Sequence, residues 1–381
     1  MSAASPRRYD LDALRVGAFL LLILYHLGMF YVPWGWHVKS DHILPALEPW
    51  MAALNPWRLT LLFVISGAAT RFMAERQTSA GLAAQRSSRL LIPLLFGMVL
   101  IVAPQSWAEV VEKNGYTGSF LDFWPRYLSF DSSFGLILPT YNHLWFVAYL
   151  WVYTVLAIVV RRWWPAIDQA ATWALRGPGL LILPALLFGL YRATAERAWG
   201  ETHIVFADGY GHLQYGTAFL LGLTLARIDE AWAYLQRVRT GVAAAAVVLL
   251  ALKIALWDAT FPAGETVFDL VREAYAWLAI CALFGYARRY IRSGSPLLTT
   301  LTEAVFPFYI IHQTTIVLAG HLLKPLGLPV LAEAGTILAL TGASCAATYA
   351  LALAVPILRQ PLGLKRVSLR PSKAPAMAPA E

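Results

Sequence analysis

The sequence predicts an all-α membrane protein, a polytopic bundle of about ten transmembrane helices over residues 1–358 with both termini cytoplasmic. Three observations carry that prediction. Of 381 residues, 59% are hydrophobic and only 14% charged, against about 25% charged in a soluble domain. Stretches of roughly 20 mostly apolar residues, long enough to cross a hydrocarbon core, recur along the chain. Lys and Arg collect in alternate connections, the asymmetry that orients membrane helices.

The spans are placed near 13–33, 55–74, 90–108, 141–160, 179–195, 212–228, 240–258, 272–290, 301–322 and 333–357. Pro93, Pro184 and Pro307 should kink or start their helices. The first apolar run is long enough to span and is not followed by a small-residue cleavage site, so it reads as a helix rather than a removable signal. With the N-terminus inside, the cytoplasmic cations include Arg7, Arg8, Arg15, Arg86, Arg89, Arg161, Arg162, Arg288 and Arg289. Most acids, among them Asp41, Glu48, Asp122 and Asp208, fall on the other side. The net charge of +8 is therefore topological and excludes no membrane role, while nucleic acid is not an expected partner. Residues 359–381 read as a basic, disordered cytoplasmic tail lying on anionic membrane lipid. Cys281 and Cys345 give neither a disulfide framework nor a metal spacing.

The first span carries the strongest chemical signal. His26 follows Arg15 by eleven residues, about three helical turns, so the two share a face roughly 16 Å apart. An ionisable group on a membrane helix is costly and usually functional. Arg15 also fits a simple topological anchor, and His26 a hydrogen-bonded packing residue. In the connection before the third span, Arg86 and Arg89 are three apart; on a helix both guanidiniums project from one side, and paired forks match phosphate oxygens. Positive-inside retention explains the pair equally.

His312 lies as deep in the ninth span as His26 in the first, and Tyr309 is one turn before it. Two imidazoles at one depth in a polar cavity can move a proton. Ser66-Gly67 in the second span permits close backbone approach, and Asn142, His143 and Trp145 mark the outer start of the fourth. The exterior segment 34–57 is rich in Trp and His, including Trp36, His37 and Asp41. It fits either an interfacial aromatic belt or a platform whose rings stack on sugars. The spans themselves are expected to exclude Asp and Glu, leaving few rival bases. No zinc spacing, phosphate-binding Gly loop or G-x-S-x-G elbow occurs, and no tightly bound cofactor is expected.

Taken in order, Arg15-x10-His26, WHVKS at 36–40, FVISG at 63–67, Arg86-x2-Arg89, HLWF at 143–146 and YIIH at 309–312 resemble the integral-membrane acyltransferase family 3 over about residues 8–358. The chain looks most like the branch that succinylates osmoregulated periplasmic glucans. It departs from the wider family at Ala68, where an aromatic residue often follows Ser-Gly. The resemblance implies transfer of a short acyl group, succinyl or acetyl, from cytoplasmic acyl-CoA to a hydroxyl of a periplasmic glycan. The setting it implies is the inner membrane, alongside glucan-synthesis proteins. It implies acyl-CoA phosphates on Arg15, Arg86 and Arg89, and catalysis by His26 with His312. Support of an oxyanion would fall to Ser66, Gly67, Tyr309, Asn142 or His143. The acceptor would meet Trp36, His37, Asp41 and Trp145. The alternative is a transporter exporting a glycan or acylated small molecule; such proteins often show repeated broken helices, and no repeat is visible.

Overall fold

A computed structural model describes residues 7–258 and 260–365. Every regular element among them is helical. In chain order these are α1 (Tyr9–Tyr31), α2 (Glu48–Ala74), α3 (Ser79–Phe96), α4 (Ala103–Asn114) and α5 (Phe120–Leu128). Next come α6 (Trp145–Val159), α7 (Trp164–Ala174), α8 (Gly179–Tyr191) and the single turn α9 (Arg197–Trp199). The last six are α10 (Gly209–Leu225), α11 (Asp229–Ala255), α12 (Gly264–Tyr290), α13 (Pro296–Leu323), α14 (Val330–Ala354) and α15 (Pro356–Arg359).

Among the described residues, eight helical stretches are long and apolar enough to cross a membrane, not ten. The other two expected positions are held by α10 and α12. The first has only 17 residues. The second carries Glu265, Asp269, Arg272 and Glu273 in its first half, which lowers its mean hydropathy. The third span starts well before residue 90. Thr78 accepts a hydrogen bond from the Gly81 amide and caps α3, so Arg86 and Arg89 stand on helix rather than in a loop. Pro93 and Pro184 lie inside helices, each followed by a π turn, Gly97–Val102 and Arg192–Glu196. The first π turn's carbonyls are taken up by side chains: Met98 O by the Tyr127 hydroxyl, Val99 O by the Trp124 indole and Ile101 O by Thr314. That wider turn therefore leaves few backbone groups unsatisfied.

Helix α1 is sandwiched between α2 and α13, while α12 packs between α8 and α11. Helices α2 and α10 cross at a reciprocal glycine contact. A Cβ at Gly67 would sit 1.9 Å from the Phe219 carbonyl oxygen, and one at Gly222 would sit 1.8 Å from that of Val64. Small residues let membrane helices approach to backbone contact, and this crossing holds α2 against the bundle. The segment after α1 folds back over the helix end. Lys39 donates to the Met29 carbonyl at 2.5 Å and to that of Val32, and Ser40 Oγ donates to Glu333 at 2.7 Å. A cation here satisfies C-terminal carbonyls and opposes the helix dipole. Burial lowers the Lys39 ammonium's pKa from its ordinary value.

Of the expected tail, residues 359–365 pack onto the bundle. Leu362 and Leu364 are buried with Ala352, and Gln360 donates to the Ser88 carbonyl. Residues 366–381 lie outside the described residues.

The glycine crossing yields a stability prediction. Gly67→Val forces two helix backbones apart and should destabilise the protein by about 1–3 kcal/mol, read as a lower thermal unfolding temperature in detergent. Gly17→Val, where no atom lies within 4 Å of the added Cβ, should leave that temperature nearly unchanged.

Candidate active site

A cavity of about 850 Å³ runs along α1 from Arg15 past His26 to Trp36 and His37. At its basic end it shares Arg15, Ile65, Ala69, Met73, Arg89, Thr302 and Glu303 with a second cavity of about 870 Å³, into which Arg7, Arg8, Arg76 and Lys365 also face. The two spaces join an arginine-rich vestibule to an aromatic mouth at the other end of α1. Among the described residues, Arg86 offers its guanidinium only to the hydroxyls of Thr70 and Thr154, both at 3.4 Å. Arg89 forms no hydrogen bond or ion pair among the described residues. Arg15 has a loose contact with Asp12 at 3.4 Å. Cations so lightly neutralised make the vestibule attractive to an anion.

Midway along, α1 and α13 bring two imidazoles together. His26 Nδ1 lies 3.0 Å from His312 Nε2, with ring planes 3° apart. His312 Nδ1 is 2.8 Å from the Tyr309 carbonyl. A carbonyl only accepts, so His312 carries its proton on Nδ1 and presents the Nε2 lone pair to His26. His26 then donates from Nδ1, and its Nε2 is left as an acceptor. His312 is fully buried, while His26 is partly exposed and lines the cavity. The pair is therefore one group facing the cavity and one behind it that sets its tautomer. Phe19 packs edge-on against the His312 ring at 5.5 Å, which closes the far side.

Toward the aromatic mouth, buried polar side chains from α4 and α13 form a continuous network. Gln105 donates to Thr314 at 2.6 Å, and its carbonyl accepts from Gln313 at 3.1 Å. Gln313 also meets His37 Nε2 at 3.0 Å, and His37 Nδ1 is 2.5 Å from Glu109, which in turn holds Lys113 at 2.6 Å. Glu109 is 8% exposed and lies inside the span Ser79–Asn114. Glu273 on α12 is fully buried, beside Arg272 and Gln214. Acids are thus present within the helical bundle, contrary to the expectation from the apolar runs. Each is matched by a cation or amide, which makes its burial tolerable. At the mouth, Trp145 stacks on His203 at 4.1 Å. Glu201 accepts from His203 at 3.0 Å and from the Tyr215 hydroxyl at 2.5 Å. Burial pushes its carboxyl up, but these partners and Arg272 outweigh that and hold it at about 2.

The structure redistributes several expected roles. Ser66 lines the cavity, but Gly67 faces α10. The amides of both lie inside a continuous helix, where i to i−4 bonding occupies them, so they are not free oxyanion donors. The Tyr309 hydroxyl is committed to the His143 carbonyl. His143 Nε2 donates back to the Tyr309 and Ile310 carbonyls, both at 3.1 Å. These two residues strap the start of α6 to α13 rather than serving a reacting atom. Asn142 lines the cavity and reaches Gln105 at 3.5 Å. Trp36, His37 and Trp145 line it as well, whereas Asp41 is exposed and paired with Lys324 at 3.5 Å, away from it. Sequence reasoning passed over Gln105, Glu109, Gln313 and Arg58. A signal existed, since each is a polar residue inside an apolar run, but nothing local marks which of them meet.

The family model described as an acyltransferase domain matches residues 8–359. Among curated proteins, the glucans biosynthesis protein C of Salmonella gallinarum is 24% identical over 345 residues, covering 85% of this chain and 86% of its own. That of Salmonella typhi is 24% identical over 344 residues, with the same shares. No solved structure is a significant match.

The Glu109 cluster can be tested without any assay of function. Glu109→Ala strands His37 and Lys113 and should cost about 1–3 kcal/mol of stability. Glu109→Gln, which keeps an acceptor, should cost less. Thermal unfolding of the two variants in detergent reads the difference; equal loss would show that only charge is used there.

Proposed function

We propose that this chain, which belongs to the integral-membrane acyltransferase family 3, moves a short acyl group from cytoplasmic acyl-CoA to a hydroxyl of a periplasmic glucan or related glycan across the bacterial inner membrane. The observation that carries the reading is the cavity itself: one space runs from an arginine vestibule to an aromatic mouth, with His26 on its wall between them. The names of the relatives, glucans biosynthesis protein C, support a glucan as acceptor.

The anionic phosphates of CoA rest on Arg15, Arg86 and Arg89, and the pantetheine arm extends along α1. The span from Arg15 to His26 is about 16 Å at 1.5 Å per residue, a reach suited to that arm. The acceptor enters past Trp36, Trp145 and His37, whose rings offer stacking faces and hydrogen-bonding edges. His26 Nε2 takes the proton of the acceptor hydroxyl as its oxygen attacks the thioester carbonyl. The carbon–sulfur bond then breaks. The proton passes from His26 to sulfur, CoA leaves as the thiol, and the imidazole is neutral again. Throughout, His26 Nδ1–H keeps its bond to His312, so His312 is a positioning residue. A transporter shares the need for a through-going space but gives no use to an imidazole on its wall with a nitrogen left as a free acceptor.

Transfer of labelled acyl groups from acyl-CoA to a periplasmic glycan fraction in proteoliposomes tests the assignment. His26→Ala should lower kcat by about 10²–10⁴-fold while acyl-CoA still binds; undiminished transfer would remove His26 as the base. Arg86→Ala with Arg89→Ala should raise KM for the donor far more than it lowers kcat. His312→Leu should depress kcat with donor binding intact. His312→Asn, whose carbonyl can still accept from His26 Nδ1, should recover part of the loss; no recovery would sink the tautomer-setting role.

A further inference from the structure

Helix α2 carries a buried cation that the reaction above leaves unused. Arg58 is 2% exposed and lines the same cavity as His26. Among the described residues its Nε and Nη1 have no hydrogen-bond partner, and no carboxylate lies within ion-pair distance. Its guanidinium carbon stands 3.5 Å from the centroid of the Tyr25 ring, and that ring is 6.2 Å from the His26 ring. The guanidinium is therefore within the sum of these two spacings of the His26 ring. Burying an arginine without an acid is costly, and stacking on Tyr25 offsets only part of that cost. A cation held this way, with donors free beside the reacting position, is a preformed half of an ion pair.

We propose that Arg58 is a specificity-determining residue that receives the distal carboxylate of a dicarboxylic acyl group while its thioester carbon lies at His26. The inference rests on the acyl-CoA reading above. With a hydrogen bond of about 3 Å at each end, the upper bound set by those two spacings limits the group held between Arg58 and His26 to a short chain such as the two methylenes of a succinyl group. A monocarboxylic acyl group of similar size would leave the guanidinium unmatched, so the site favours a negatively charged donor end. The lightly neutralised Arg86 and Arg89 attract phosphate at the other end of the cavity. The donor is thus gripped by cations at both of its anionic parts, with the uncharged arm and thioester between them.

The test compares CoA, acetyl-CoA and succinyl-CoA as stabilisers of the detergent-solubilised full chain, then as donors in the transfer assay. For wild type, succinyl-CoA should bind at least about tenfold more tightly than acetyl-CoA. That excess should vanish in Arg58→Met and partly survive in Arg58→Lys, while CoA itself binds all three alike. In transfer, Arg58→Met should lose the succinyl preference but keep acetyl transfer. No succinyl preference in wild type, its survival in Arg58→Met, or equal loss of both transfers would overturn the proposal; the last would make Arg58 an oxyanion donor. If wild type binds no form of CoA, the donor reading itself falls, which is a separate result.

Discussion

A polar side chain inside an apolar bundle must find a polar partner, and that single requirement organises this molecule. His312 is the clearest instance. Its Nδ1–H donates to the Tyr309 carbonyl a turn earlier on its own helix. Once that bond is made, its Nε2 lone pair must be met, and His26 meets it. That bond leaves Nε2 of His26, a residue that lines the cavity, as the free acceptor. A chemically useful tautomer thus follows from the demand that buried groups be paired.

The same requirement explains how a bundle of apolar helices holds a polar core without losing its register. Helices α4 and α13 are tied by Gln105, Gln313 and Thr314, and α13 is strapped to the start of α6 by the exchange between His143 and Tyr309. Side chains also take up the carbonyls that the π turn after Pro93 releases. In lipid, where apolar contacts do not discriminate between partners, such directional bonds and the tight glycine crossing of α2 with α10 decide which helices become neighbours. Charges left lightly paired, at Arg86, Arg89 and Arg58, stand out against this background because they all face the cavity.

Much of the architecture was legible in the chain. Ten apolar runs mark ten helices, and the two that fall short of spanning quality do so for reasons visible in composition, the brevity of α10 and the charges of α12. Arg15, His26, Arg86 and Arg89 could be singled out because helical spacing alone puts each pair on one face. Asp41 could not be separated from its neighbours Trp36 and His37, because a loop has no periodicity to say which side chains turn inward. Gly67 and Tyr309 were noticed for their residue types, yet their partners, Phe219 and His143, lie more than a hundred residues away.

The sequence by itself determined the helical, membrane-embedded class of this protein, the asymmetric placement of its cations and the presence of imidazoles at matching depth in the first and ninth apolar runs. Those properties depend on local composition and on the fixed rise and turn of a helix. Only the tertiary structure decided that the two imidazoles bond to each other, that the vestibule and the aromatic mouth share one cavity, that Arg58 reaches it and that Glu109 holds His37 at its wall. Such facts depend on which faces of distant helices meet. That choice is made by pairing energies between residues up to about three hundred positions apart, and no local pattern encodes it.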